Sequence, residues 1–279
     1  MAESEPTRAA RGDQAGGEMQ TLAAYVEYDG RGFVGWQAQH GLRSVQGEVE
    51  RALGVIANET VRLRCAGRTD AGVHATGQVV HWQTTAQRTA RSWMLGTNAN
   101  LPPDVSLYWV GRVADDFDAR FRAVSRRYRY LILNTPARSA LHAGRCLYEP
   151  RPLALAPMQQ AAARLVGERD FSAFRGRDCQ ARSPVKRVHS LELARAGAWI
   201  TLDIHAGGFL HNMVRNIVGT LIEVGRGARP PEWIDAVLAS GRRERAGPTV
   251  APGGLYFLGA EYEDHFGLPP FRRLPLPLE

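Results

Sequence analysis

Nine residues, Gly67-Arg-Thr-Asp-Ala-Gly-Val-His-Ala75, separate two strand-like runs, and this interruption constrains the chain more than any other feature. Val61-Arg-Leu-Arg-Cys-Ala66 precedes it and Gly77-Gln-Val-Val-His-Trp82 follows it. Runs of this length rich in β-branched and alternating apolar residues read as strands. Two glycines and small residues between strands read as a tight loop that pushes Arg68 and Asp70 out of a sheet. Loops braced by a rigid scaffold commonly carry chemistry. Local spacing leaves two readings of Asp70 open. Its carboxylate could hydrogen-bond its own turn, as Asp often does, or it could be a nucleophile or base oriented by Arg68.

The rest of the chain alternates between the two periods. Leu22 to Tyr28 is a predicted strand, Asp29-Gly-Arg-Gly32 a turn, and Phe33-Val-Gly-Trp-Gln37 follows it. Ser44 is a candidate N-cap, and Val45, Val49, Leu53 and Ile56 recur at helical spacing over 45–57. A short helix or turn over 92–98 is stopped by Leu101-Pro-Pro-Asp104, and 105–113 reads as another strand. A similar series then follows. It comprises a strand over 125–133, a helix through Pro157, Met158, Ala162 and Leu165, and a hairpin of strands 186–193 and 198–205. Helix 211–224 has Met213, Val214, Ile217 and Leu221 as its apolar stripe. Pro230-Pro231 opens a further helix to Ala239, and 249–262 reads as a closing loop and strand.

This order predicts an α+β fold of two lobes sharing an antiparallel sheet, with a central cleft. The expected divisions are a disordered tail over 1–19, an N-terminal lobe over 20–118 carrying the loop, a C-terminal lobe over 119–264, and a Pro-rich tail over 265–279. No residue-level repeat accompanies the duplicated order.

Charge narrows the partner. Thirty-five basic residues against 28 acids leave a net charge of +7, and Lys186 is the only lysine. A GC-rich genome would explain arginine in place of lysine but not the excess charge. Arginine forks onto phosphate and stacks on bases, so the excess suits a nucleic-acid binder. No apolar run approaches the roughly 20 residues that span a bilayer, and residues 1–19 lack the apolar core of a secretory signal. Cys65, Cys146 and Cys179 are far apart and form no C-x-x-C, so a disulfide framework or zinc finger is not expected and a reducing cytoplasm is. No phosphate-loop signature occurs.

Three groups could complete a site around Asp70. On helix 211–224, Asn212, Arg215, Asn216 and Gly219 lie away from the apolar stripe. They form either a solvated face or a face toward the cleft, where Arg215 would pair with Asp70 and keep it ionised. Tyr128 and Tyr130 share one face of their strand among Arg126, Arg127 and Arg129, as core residues or as a stacking platform for a nucleobase. His74 and His81 could join Asp70 as metal ligands, but no further ligand stands at metal spacing.

Four segments resemble the TruA family of tRNA pseudouridine synthases. They are Asp29-Gly-x-Gly-Phe-x-Gly-Trp-Gln37, Gly67-Arg-Thr-Asp-Ala-Gly-Val-His74, Arg126-Arg-Tyr-Arg-Tyr130 and His211-Asn-Met-Val-Arg-Asn-Ile-Val-Gly219. They occur in the family's order, and the similarity runs from about Thr21 to Tyr262. The resemblance implies RRM-like, ferredoxin-like lobes and a homodimeric isomerase that converts uridine to pseudouridine at positions 38–40 of the tRNA anticodon arm. By that resemblance Asp70 is the catalytic aspartate, Arg68 the arginine that displaces the target base, and Tyr128 the ring that stacks on uracil. Arg215 is then the partner of the aspartate and Leu255 an apolar lining residue. No cofactor and no metal are implied. Two other readings remain beside it: a non-catalytic RNA-binding module, and a metal-dependent hydrolase using Asp70, His74 and His81.

Overall fold

Period-two runs pair into a single sheet, and the period-3.6 runs lie against it. The computed structural model describes residues 17–271. The first half contains β1 (Gln20–Tyr28), α1 (Val45–Ala57), β2 (Arg64–Cys65), β3 (His74–Thr84), α2 (Ala90–Asn100) and β4 (Val105–Arg112). The second contains β5 (Ser125–Asn134), β6 (Leu147–Glu149), α3 (Leu155–Ala163), β7 (Gly167–Asp170), β8 (Val185–Ala196), β9 (Trp199–Ala206), α4 (Met213–Gly225), α5 (Trp233–Ser240) and β10 (Leu255–Glu261). The sheet order is β4-β1-β3-β10-β5-β9-β8-β7, with β2 on β3 and β6 on β5. The α+β class is therefore the one expected.

The halves are joined by the last strand. β10 inserts between β3 and β5, parallel to β3 through Tyr256 and Phe257 and antiparallel to β5. The sheet is antiparallel apart from this seam and the β5–β6 pair. A parallel neighbour requires a long crossover, and here the whole second half supplies it. Two apolar cores result. One holds Val45, Val49 and Leu53 of α1 with Trp82 and Trp93, whose rings meet edge to face at 5.7 Å. The other gathers α3, α4 and α5 against β5, β8 and β9. Burying a Val, Leu or Phe contributes about 1.5–3 kcal/mol each, so these stripes dominate the cohesion of each half.

Local signals set most ends. Ser44 caps α1, its Oγ accepting from Gly47 N at 3.3 Å. α2 begins earlier than expected because Thr89 is its cap, accepting from Ser92 N at 3.1 Å. The strand expected over 61–66 shrinks to Arg64–Cys65. Val61 and Leu63 are still buried, but the Glu50 carboxylate on α1 takes Leu63 N at 2.9 Å in place of a ladder bond.

Two expectations need correction. The polar side of α4 is neither solvated nor wholly turned to a cleft, since Asn216, Gly219 and Thr220 are buried. Asn216 donates to Phe174 O at 2.8 Å and accepts from Thr249 Oγ1 at 2.6 Å. Thr220 Oγ1 accepts from Gly247 N at 2.9 Å. The segment 243–250 thus covers that side of the helix and leaves Asn212 and Arg215 for the cleft. The Pro-rich end is also no free tail as far as residue 271. Phe266 is buried, Leu268 and Phe271 pack on the core, and Tyr25 donates to Pro269 O at 2.6 Å. The expectations for residues 1–16 and 272–279 lie outside the described residues. Among the described residues no helix is long and apolar enough to cross a membrane.

Candidate active site

The loop between β2 and β3 is held from below and behind. Gln78, fully buried on β3, donates to Gly67 O at 2.6 Å. Tyr28 on β1 shares a 2.7 Å hydrogen bond with Thr69 Oγ1. Trp36 N donates to Thr69 O at 3.0 Å, and Gly35 pairs with Asp70 as an isolated bridge. Two glycines permit this contact. Gly35 sits at φ +107° with Thr69 O only 2.7 Å from where a Cβ would stand, and a Cβ on Gly30 would meet Val73 O at 2.0 Å. The segment 29–37 is therefore the brace of the loop.

Both histidines proposed as metal ligands are committed to backbone. His74 Nδ1 accepts from Gly30 N at 3.1 Å while Nε2 faces Gly144 O at 3.1 Å. Burial pushes its pKa below the usual histidine value, so the neutral ring fits one acceptor and one donor role. His81 Nδ1 accepts from Ala119 N at 3.1 Å. No group of three His, Cys, Asp or Glu among the described residues could hold a metal ion.

Asp70 closes its turn with its backbone carbonyl, which accepts from Val73 N at 3.1 Å. Its carboxylate points away from the turn and toward the start of α4, contrary to the reading in which it hydrogen-bonds its own turn. Oδ1 lies 3.3 Å from His211 Nε2 and Oδ2 lies 3.8 Å from Arg215 Nη1. Arg215 is fixed independently, donating from Nε to Val250 O and from Nη1 to Asn212 Oδ1, each at 2.8 Å. Its expected pairing with Asp70 is thus a charge contact rather than a hydrogen bond. His211 is nearer and was not singled out by sequence reasoning. The available signal was its place four residues before Arg215 in the helix expected over 211–224; in the structure it precedes α4, and the chain turns at Asn212 with φ 60°. Among the described residues the buried Nδ1 of His211 has no hydrogen-bond partner.

These groups open into a cleft of about 920 Å³ lined by Asp70, Arg68, Tyr128, Arg215, His211 and Leu255. All five residues expected at the site thus meet there. Tyr128 stands between Phe209 and Phe257, each ring centroid 5.0 Å away. Burial, and then the charge of Asp70, pushes its phenol above the usual value. Tyr130, on the same strand face, is instead core, its hydroxyl donating to Ala251 O at 2.7 Å. Arg68 is exposed on the wall. The other arginines beside Tyr128 are spent on structure. Arg126 donates to the carbonyls of Ala66, Arg120 and Gly207, while Arg127 and Arg129 pair with Glu261 and Asp203 at 2.7 Å.

A half-exposed carboxylate in this cleft, with an aromatic wall, an apolar patch and cationic edges, suits a planar group carried on an anionic chain. The relatives are more specific. A tRNA pseudouridine synthase family model matches residues 24–122 and 161–263. The tRNA pseudouridine synthase A of Nitrosococcus oceani is 50% identical over 252 residues, 90% of this chain and 97% of that one. That of Dechloromonas aromatica is 50% identical over 248 residues, 89% and 95% of the two chains. Among solved structures, an archaeal box H/ACA sRNP Nop10–Cbf5 complex aligns over 72% of this chain and 44% of that chain at 11% identity, with a TM-score of 0.34, too distant to bear on the site. The chain belongs to the tRNA pseudouridine synthase family, a family of isomerases.

Proposed function

We propose that this chain converts uridine to pseudouridine at positions 38, 39 and 40 of the tRNA anticodon stem-loop, with Asp70 as nucleophile on a uridine flipped out of the stack. The observation that carries this is the Asp70 carboxylate, which faces the cleft beside His211 and Arg215 at 3.3 and 3.8 Å. The reaction breaks the N1–C1′ bond and forms C5–C1′. One proton leaves C5 and one is gained at N1. Nothing is oxidised or added, so the chemistry requires no cofactor.

The attacking carboxylate has to be ionised in a closing pocket, where an unpaired charge is costly. Two unit charges 3.8 Å apart attract by about 1 kcal/mol in water and about 4 kcal/mol at an effective dielectric of 20. Asp70 is 36% exposed before substrate enters, so the lower part of that range applies then and the upper part once RNA excludes water. In this reading Tyr128 stacks on the uracil, Leu255 packs against it, and Arg68 fills the place the base leaves. Flipping costs a few kcal/mol, which these contacts offset. A homodimer in the cytoplasm, with tRNA as partner, completes the proposal.

Asp70→Asn tests it. The variant keeps the shape of the side chain and loses its charge. Tritium release from tRNA labelled at uridine C5 should vanish while tRNA binding survives, and sequencing of the wild-type product should place pseudouridine within 38–40. Turnover by Asp70→Asn would refute the role of Asp70. A purely RNA-binding protein would bind without turnover in either form.

A further inference from the structure

Among the exposed large apolar residues described, Phe121 is the one that lines the cleft. It is 75% exposed, yet its backbone is among the more firmly tied in the chain. Asp118 Oδ1 accepts from Arg120 N at 2.8 Å and from Phe121 N at 2.9 Å. Arg122 N donates to Asp118 O at 3.0 Å. Arg64 on β2 holds the same carboxylate at 3.2 Å. The turn is then clipped to the strand end ahead of the catalytic loop, because Arg126 donates both to Arg120 O and to Ala66 O. Tyr262 donates to Ala119 O at 2.6 Å from the far side.

A ring left in water by disorder would need no such fastening. Among the described residues this one has no aromatic or core partner. Cations stand beside it: Arg120 has its Cζ 5.3 Å from the ring centre, and the exposed Arg68 lines the same cleft. An exposed, oriented aromatic among cations is the arrangement that stacks a nucleobase while the backbone phosphates meet the charges.

We propose that Phe121, backed by Arg120, is a stacking platform for an unpaired tRNA base at the cleft mouth, separate from the flipped uridine over Asp70. It is a positioning residue that fixes the strand on which the target lies. This rests on the reading of the cleft as the seat of tRNA.

The test measures equilibrium binding of an anticodon stem-loop and single-turnover pseudouridine formation, across a salt series. Phe121→Ala should raise Kd roughly thirtyfold, the middle of the range for loss of one base–aromatic stack. Phe121→Trp and Phe121→Tyr should restore it and Phe121→Leu should not. The slope of log Kd against log salt should not change in Phe121→Ala, because no phosphate contact is lost, whereas Arg120→Ala should flatten it by about one unit. Thermal unfolding should be unaltered, since the ring touches no core.

Wild-type affinity in Phe121→Ala, with the wild type active, overturns the inference. So does full rescue by Phe121→Leu, which would mean a plain apolar contact. A change of oligomeric state at unchanged RNA affinity also overturns it, giving the ring to a second protein surface. If the wild type binds tRNA but forms no pseudouridine, the catalytic reading fails while the platform is still decided by the Kd series. If it binds no RNA, both fail.

Discussion

Gly219→Ala adds one methyl group where α4 meets the segment before β10. Its Cβ would stand 1.8 Å from Pro248 O and 3.3 Å from Val250 Cγ1. Contacts shorter than 3.0 Å do not occur, so helix or segment has to shift by more than 1 Å. The obstacle is backbone, so no rotamer change relieves it. Overpacking of this kind costs about 1–3 kcal/mol. The shift also strains the Gly247–Thr220 and Thr249–Asn216 hydrogen bonds, at 2.9 and 2.6 Å, each of which contributes about 1 kcal/mol. Alanine returns up to about 1 kcal/mol of helix propensity. The net loss is about 2–4 kcal/mol, or a fall in Tm of roughly 5–15 °C for a chain of this size. The site feels it as well, because Val250 O is the acceptor that aims Arg215. A misplacement near 1 Å at a catalytic group can cost about a hundredfold in rate. The assay is thermal unfolding beside single-turnover pseudouridine formation at a temperature where both proteins are folded. Gly67→Ala is the control, since a Cβ there meets nothing within 4 Å and its Tm should match the wild type. A Gly219→Ala variant melting within about 2 °C of wild type would refute the steric argument. A large fall in Tm with an unchanged rate would refute the link to Arg215.

Two further outcomes follow from the same geometry. His211→Ala should lower the single-turnover rate about tenfold, the low end for a polar contact to a charged group, and leave tRNA affinity unchanged. His211→Gln, which can still present a donor toward Asp70, should recover part of the rate, and equal rates for both variants would remove His211 from the mechanism. Glu149 is 3% exposed and contacts Arg226 and Arg151. Burial pushes its carboxyl up, but the two arginines and the Arg151 backbone N–H outweigh burial and hold it below the usual value. A lowered folded pKa means that its stabilisation is fully present above about pH 4.5 and is lost as pH falls from there through the folded value. Glu149→Gln should therefore unfold at lower urea at pH 7, by about 3 kcal/mol, and converge on the wild type as both are taken toward pH 3. A gap that is constant from pH 7 to pH 3 would show that the charge of Glu149 contributes nothing.

Much of the fold and part of the site were legible before any coordinates. Apolar period alone marks α1, β1, β9 and the buried stripe of α4, because period reports which side chains leave water. The loop at Asp70 was legible from its glycines and its flanking runs. Chemistry was legible in residue type: one acid on a braced loop, an aromatic strand face and an excess of arginine. What local pattern lacks is the identity of the surface against which a residue is buried. It could not separate Tyr128 from Tyr130, which share a strand face and differ only in what covers them. Nor could it say that Arg126, Arg127 and Arg129 are bound to carbonyls and acids while Arg68 and Arg120 face the cleft.

Those distinctions belong to contacts between residues far apart in the chain. β10 enters between β3 and β5 and brings Leu255 beside Tyr130. The segment 243–250 covers one side of α4, burying Asn216 and Gly219 and leaving Arg215 aimed at Asp70. His211 reaches the carboxylate for the same reason. Sequence by itself determined which groups had the right chemistry, since that is a property of each side chain. Tertiary structure decided which of them share a cleft, since close packing brings distant segments together in only one arrangement.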